Sequence, residues 1–210
     1  IRKWWAWLIA ILIILLIGIS RVYLGVHFPH DVILGWLIGA FLLWLVLHSW
    51  EQASTWLKNM SLGQQILASF LSSLTLILLS LIPFLWLKIT NWQLPQAWAA
   101  YAKDAVSLSV TFTSAGMLFG LLAGLAWFNS QGGFDATGPL WKRILRYLLG
   151  MIGVLVFYLG LKVFFGLIAP YSEAALPYIL RYIRYALVGA WVSAGAPWIF
   201  VKLKLAEKAT

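Results

Sequence analysis

Six long apolar runs, separated by short polar stretches, leave this chain one kind of environment to fold in. They lie at about Trp4–Ile19, Val32–Leu47, Gln65–Leu87, Ala105–Phe128, Tyr147–Ala169 and Tyr178–Val201. A helix needs roughly 17–25 apolar residues to cross a bilayer. Its backbone hydrogen bonds must close within the segment, because lipid offers no partners. The pattern therefore predicts an all-α fold, a polytopic transmembrane helix bundle of about six spans. Composition agrees: 63% of residues are hydrophobic and only 10% charged, against about a quarter charged in a soluble domain. The 14 Trp and 8 Tyr suit aromatic belts at the membrane surfaces. With no Cys in the chain, disulfides and thiolate metal sites are excluded. The net charge of +9 reads as Lys and Arg of cytoplasmic loops, not as a nucleic-acid surface. The first run has no small-residue cleavage site and is not a signal peptide.

Scarce ionisable groups gather between the first two runs. The stretch Ser20-Arg21-Val22-Tyr23-Leu24-Gly25-Val26-His27-Phe28-Pro29-His30-Asp31 holds two of the three His and one of the six acidic residues. Ionisable groups beside membrane segments mark functional sites. Pro29 suits the first turn of a helix running on through Val32, which puts Asp31 where the helix dipole favours an anion. His27, four residues before Asp31, can donate one ring N–H to that carboxylate and turn the other nitrogen outward as base or nucleophile. Free N–H groups at the helix start, together with the Arg21 guanidinium, match a phosphate. Taken singly, Asp31 is a helix-start residue, Arg21 an interfacial anchor and His27 a loop histidine. The spacing S-R-x5-H-x3-D favours the joint, functional reading.

Ser20-Arg21-(x5)-His27-(x3)-Asp31 resembles the third signature motif of the type 2 phosphatidic acid phosphatase superfamily. These are lipid phosphate phosphatases, related in fold to vanadium haloperoxidases and glucose-6-phosphatase. The surrounding wording S-R-V-Y-L-G-V-H-F-P-H-D-V extends the match to about a dozen residues. The resemblance implies a catalytic pair, with His27 the nucleophile that forms a phosphohistidine and Asp31 the group that orients its ring. It implies Arg21 and Ser20 on the phosphate, and a metal-independent reaction with no cofactor. The family's two earlier motifs, K-x6-R-P and P-S-G-H, do not occur in the chain. Their Lys and Arg would hold phosphate, and their His would protonate the leaving alkoxide. The expectation is a chain that lacks the N-terminal half of the catalytic domain.

Residues 1–50 are then the C-terminal part of a phosphatase core, and residues 51–210 a membrane extension of four spans. Gly35 and Gly39 in the second run, and Gly116, Gly120 and Gly124 in the fourth, provide small faces for close helix approach. Residues 49–63 read as a loop or short surface helix. Pro83 marks a kink or the exit of the third span. Trp98, Tyr101 and Ala105 share a helical face that suits an interfacial helix. Residues 129–145 read as a loop with a basic end, and Gly132-Gly133 lacks the pattern of a phosphate-cradling loop. Lys162 snorkels. His48 and His30 take no catalytic role, and His30 with His27 and Asp31 makes no convincing metal set.

Six spans put Arg2, Lys3, Lys58, Lys142, Arg143, Arg146, Lys202, Lys204 and Lys208 on one side, and Arg21, Lys88, Lys103, Arg181 and Arg184 on the other. The richer side is cytoplasmic. Both termini are then inside, and the motif faces outward across what the resemblance implies is a bacterial inner membrane. Arg181 and Arg184, among Tyr178, Tyr182 and Tyr185, form an outer face able to touch lipid headgroups. Two functions fit: a membrane lipid phosphatase whose partner is a lipid phosphate substrate, or a non-enzymatic transporter or assembly scaffold with a vestigial motif. A haloperoxidase fits badly, since those relatives are soluble.

Overall fold

The computed structural model describes residues 3–98, 106–169 and 175–209. Among these the only regular elements are helical, apart from a single bridge between Asp135 and Glu207. Five helices are long and apolar enough to cross a membrane: α1 (Trp4–Tyr23), α2 (Pro29–Lys58), α3 (Leu62–Ile89), α4 (Ser109–Ser130) and α5 (Leu140–Ile168). A sixth helical run follows as α6 (Ala175–Ala190), a π-helical turn (Trp191–Gly195) and α7 (Ala196–Lys202). This is an all-α membrane bundle consistent with about six spans. The chain divides into two compact units, Ile1–Asn59 and Met60–Thr210.

The first unit is the α1–α2 hairpin. Its apolar side chains are largely exposed, as lipid-facing helices require. Close approach occurs at Gly18, the one buried residue of α1, against Trp36 and Val32. Gly35 and Gly39 do not play the part expected of them: a Cβ added at either meets nothing within 4 Å. A large ring from α2 fills the notch in α1, so the small residue is needed on α1 only. Residues 49–58 are also not a loop. α2 continues through them to Lys58, 30 residues in all, or about 45 Å at 1.5 Å per residue. That exceeds a hydrocarbon core of about 30 Å, so the polar last turns carry Glu51 and Lys58 beyond the apolar layer.

In the second unit α3 starts with a reciprocal cap. Ser61 Oγ accepts from the Gln64 N–H at 3.3 Å, and Gln64 Oε1 accepts from the Ser61 N–H at 2.8 Å. α3 runs through Pro83 to Ile89, so that proline is not the exit of the span. The glycine run of α4 packs as expected. Gly116 lies against the Tyr182 backbone, Gly120 against that of Ala186, and Gly124 against Ser193 and Ala190. Gly189 returns the approach against the Met117 carbonyl and the Leu121 N–H. Without Cβ atoms here, α4 and α6 bring backbone against backbone. Ser73 of α3 joins the same core through a 2.8 Å hydrogen bond with the Tyr182 hydroxyl.

The π-turn has a local cause. Pro197 has no N–H for the Ser193 carbonyl, and its ring crowds that carbonyl, so the preceding turn widens. Ser193 Oγ donates to the Gly189 carbonyl at 3.0 Å and to the Gly120 carbonyl at 3.3 Å. The Trp191 ring is thereby placed against Gly153, with its Nε1–H donating to the Gly150 carbonyl at 3.0 Å.

α5 begins at Leu140, with Pro139 before it, so the basic end of the expected loop is helical. Arg146 is buried and donates to the carbonyls of Ala136 (2.8 Å), Thr137 (3.1 Å) and Asp135 (3.4 Å). It clasps the α4–α5 loop instead of anchoring to a surface. The C-terminal tail folds back on this loop: the Asp135 N–H donates to the Glu207 carbonyl at 2.9 Å, and Lys142 Nζ donates to the Lys204 carbonyl at 2.9 Å. Beneath them Phe134, Phe200, Ala206 and Leu149 form a small apolar cluster. Trp98 ends a short 3-10 turn, Gln96–Trp98, while Tyr101 and Ala105 of the expected interfacial helix lie outside the described residues.

Candidate active site

The site is built by the turn between α1 and α2. α1 ends in a Schellman motif: the Gly25 N–H donates to the Val22 carbonyl at 3.0 Å, and the Val26 N–H donates to the Arg21 carbonyl at 3.2 Å. Gly25 sits at φ +68°, a conformation side-chain-bearing residues rarely adopt. This glycine reverses the chain within a few residues. Arg21 in the last turn of α1 and His27, His30 and Asp31 at the start of α2 thus share one end of the hairpin.

α2 starts where the proline predicts. Phe28 is the N-cap and Pro29 opens the first turn. Asp31 Oδ2 accepts from the Phe28 backbone N–H at 3.0 Å, which ties the carboxylate down at the positive end of the helix dipole. The same oxygen lies 3.9 Å from His27 Nδ1. That is ion-pair distance, beyond a direct hydrogen bond. The Nδ1 edge of His27 thus faces the carboxylate, and Nε2 is the nitrogen on the far side of the ring.

His30 approaches Asp31 more closely than His27 does, with Nε2 at 3.3 Å from Oδ1. Its ring stacks on Phe28, centroids 5.5 Å apart. The Asp31 carboxylate is therefore shared between a backbone N–H and two imidazoles. The sequence pattern offered no signal for the His30 contact, which arises because neighbours in the first helical turn lean back toward the N-terminus. His27 is 53% and Asp31 43% exposed, so both remain open to a substrate. Ser20 Oγ donates to the Ile17 carbonyl at 2.7 Å, which leaves its lone pairs as acceptors only. Among the described residues no three His, Asp or Glu side chains are arranged to hold a metal.

Arg181 and Arg184 belong to the second unit. Arg184 is buried, its guanidinium carbon 5.3 Å from the Tyr158 ring centroid and 5.1 Å from that of Tyr185. Tyr182 faces the other way, stacked on Phe119 at 6.2 Å. Lys162 is exposed on α5.

The first unit is thus an all-α membrane hairpin that carries His, Asp and Arg at one end. The PAP2 superfamily profile matches residues 1–55, and the profile "PAP2 superfamily phosphatase, transmembrane extension" matches residues 112–208. The chain belongs to the PAP2 superfamily and is an integral membrane protein. It is 49% identical over 41 residues to an undecaprenyl-diphosphatase of Sulfolobus acidocaldarius, a match covering 20% of each chain. It is 27% identical over 204 residues to glucose-6-phosphatase 3 of Rattus norvegicus, covering 92% of this chain and 54% of that protein. Glucose-6-phosphatase 3 of Mus musculus is likewise 27% identical, over 196 residues covering 89% and 51%. The chain thus spans about half the length of the glucose-6-phosphatases it matches, and less of the diphosphatase. No solved structure matches it.

Proposed function

We propose that this protein is the motif-bearing part of a metal-independent membrane phosphatase that hydrolyses a phosphomonoester or diphosphate of a lipid. The observation that carries this reading is the His27–Asp31 pair at the start of α2, Nδ1 to Oδ2 3.9 Å, inside the region matched by the PAP2 superfamily profile. His27 Nε2 attacks phosphorus in line. Its lone pair forms the N–P bond as the P–O bond to the leaving group breaks, and the electron pair goes to the alkoxide oxygen of a monoester or the bridging oxygen of a diphosphate. Asp31 balances the imidazolium charge, and Arg21 stabilises the equatorial oxygens. Water then attacks phosphorus and gives its proton to the conjugate base of the group that protonated the alkoxide, while the P–N bond breaks to release inorganic phosphate and neutral His27. The acid for the leaving alkoxide and further phosphate ligands come from the family's other two motifs, which these 210 residues do not contain.

Two relatives are named for different substrates, undecaprenyl diphosphate and glucose 6-phosphate. A lipid is favoured for this chain because the hairpin that presents His27 exposes apolar side chains along its length. The distribution of Lys and Arg supports a site facing outward, and the family resemblance supports a bacterial inner membrane. A second reading, a transporter or scaffold with a vestigial motif, draws on the large extension that follows the hairpin. The deciding experiment traps substrate-derived phosphate in protein that also carries the two further motifs. Acid-labile, base-stable label that vanishes in His27→Ala is expected. Label that persists without His27, or turnover that survives its loss, would overturn the assignment.

A further inference from the structure

The α5–α6 seam contains a buried cation, Arg184, with no acidic partner among the described residues. Arg184 is only 6% exposed, and its Nε has no hydrogen-bond partner. Neither α5 nor α6 contains an Asp or Glu. Trp191 bonds to Gly150 while Tyr185 meets Tyr158 (ring centroids 6.0 Å apart), so the two helices run antiparallel. One helical turn further along α5 is Lys162, and one turn back along α6 is Arg181.

Two tyrosine rings, inclined to each other and 6.0 Å apart, lie near the Arg184 guanidinium. They meet it as cation–π partners, which leaves its in-plane N–H donors to find acceptors elsewhere. The in-plane Nε–Nη edge is the fork that matches two oxygens of a phosphate. A buried charge left unpaired is costly, and here the tyrosines meet only part of its demand. Along α5 the outward residues beside the seam are apolar and exposed, Leu155 at 50%, Leu159 at 51% and Val163 at 66%. They offer a surface for acyl chains, which a free anion would not use. Side chains on α6 lean toward its Ala175 end, which carries the Arg184 head from the helix middle toward the level of lipid phosphates.

We propose that the α5–α6 seam holds the phosphate of an anionic membrane phospholipid, with Arg184 as its buried ligand, Lys162 beside it and Tyr158 closing over it. The site lies in the transmembrane extension and is separate from the reaction assigned to His27. Its occupant is bound and retained, not hydrolysed. Arg184 Nε is out of contact with solvent, so binding requires side chains of the seam to move.

The test is thermal unfolding of the detergent-purified protein with added phosphatidylglycerol, phosphatidylcholine or inorganic phosphate. Phosphatidylglycerol should raise Tm by several degrees, phosphatidylcholine by less, and inorganic phosphate not at all. Arg184→Gln should remove the shift and Arg184→Lys should reduce it. An equal shift in Arg184→Gln, or no shift in the parent protein, overturns the proposal. A shift produced by inorganic phosphate alone overturns the lipid as the source. Should Arg184→Gln fail to fold, native mass spectrometry of the parent protein and Arg184→Lys decides. A phospholipid retained by the first and depleted in the second is expected, and a parent protein free of phospholipid overturns the site. No readout depends on turnover.

Discussion

Asp31 Oδ2 accepts a hydrogen bond from the Phe28 backbone N–H at 3.0 Å, and this same oxygen is the one nearest His27. One carboxylate atom thus both starts α2 and faces the proposed nucleophile. The helix holds the carboxylate, so the geometry toward the imidazole is set before any substrate arrives.

This dual role separates stability from rate. Asp31→Ala should lower stability by about 0.5–2 kcal/mol, the usual effect of losing an N-terminal cap, and should also abolish detectable turnover. Asp31→Asn should keep most of the stability, because its carbonyl still accepts from Phe28, yet reduce kcat by on the order of 10²–10⁴, as charge and tautomer control are lost. His27→Ala should leave the unfolding free energy within about 0.5 kcal/mol of the parent's, as exposed positions do, and eliminate phosphoenzyme. Paired unfolding and rate measurements in protein carrying the full motif set check this. Rate losses that simply follow Tm would refute the catalytic reading.

His30 and Arg21 complete the order. His30→Ala should cost less than loss of His27, although its Nε2 lies only 3.3 Å from Asp31 Oδ1, because the carboxylate keeps its helix hydrogen bond. Arg21→Lys should be more damaging than His30→Ala, since an ammonium cannot reproduce a forked phosphate contact. Steady-state kinetics on a lipid phosphate decide. A His30→Ala variant as impaired as His27→Ala would make His30 part of the reacting group.

Glycine positions should divide sharply. A Cβ at Gly120 collides with the Ala186 backbone, whereas one at Gly35 meets nothing within 4 Å. Gly120→Val should therefore destabilise by at least about 1–3 kcal/mol, the usual effect of overpacking, because backbone cannot move aside as a side chain can. Gly35→Val should be nearly neutral. Thermal unfolding in one detergent compares them directly, and equal losses at the two positions would contradict the α4–α6 packing described above.

The loop–tail clasp should respond to acid. The side-chain and backbone hydrogen bonds from Thr137, aided by the charge of Arg146, hold the Asp135 carboxyl below its ordinary value. A carboxylate with a lowered folded pKa contributes stability above its unfolded pKa of about 3.9. That contribution disappears as pH falls through the lower folded value. Protection of the Asp135 amide, whose N–H bonds to Glu207, relative to its intrinsic exchange should therefore fall below about pH 4. Thr137→Ala, which removes the side-chain hydrogen bond to this carboxylate, should shrink that acid-dependent loss. A loss unchanged by Thr137→Ala would assign the transition to another group.

Topology is open to a direct check. With about six spans both termini lie on one side, so a reporter fused after the tail should be active only in the cytoplasm. Activity on the outer face alone would remove one span, and the helical run Ala175–Lys202, interrupted at its π-turn, would be the segment to reassign.

Much of this protein was determined by its sequence alone. Apolar length and the demand that backbone bonds close within lipid set the helices, and the fixed φ of Pro29 with Asp31 two residues later set where α2 begins. The glycine run of α4 already announced a close helix contact. Other features were decided only by tertiary structure, because they depend on which faces meet. Gly18 is an ordinary helical glycine until Trp36 fills its notch. Gly35 and Gly39 present the same spacing as packing glycines and touch nothing. Arg146 and Arg184 resemble the other cations of a basic chain, yet one clasps three carbonyls and the other is buried beside two tyrosine rings. Local pattern specifies a helix and its ends. Only packing brings a guanidinium to loop carbonyls or aromatic rings, and takes it out of bulk water.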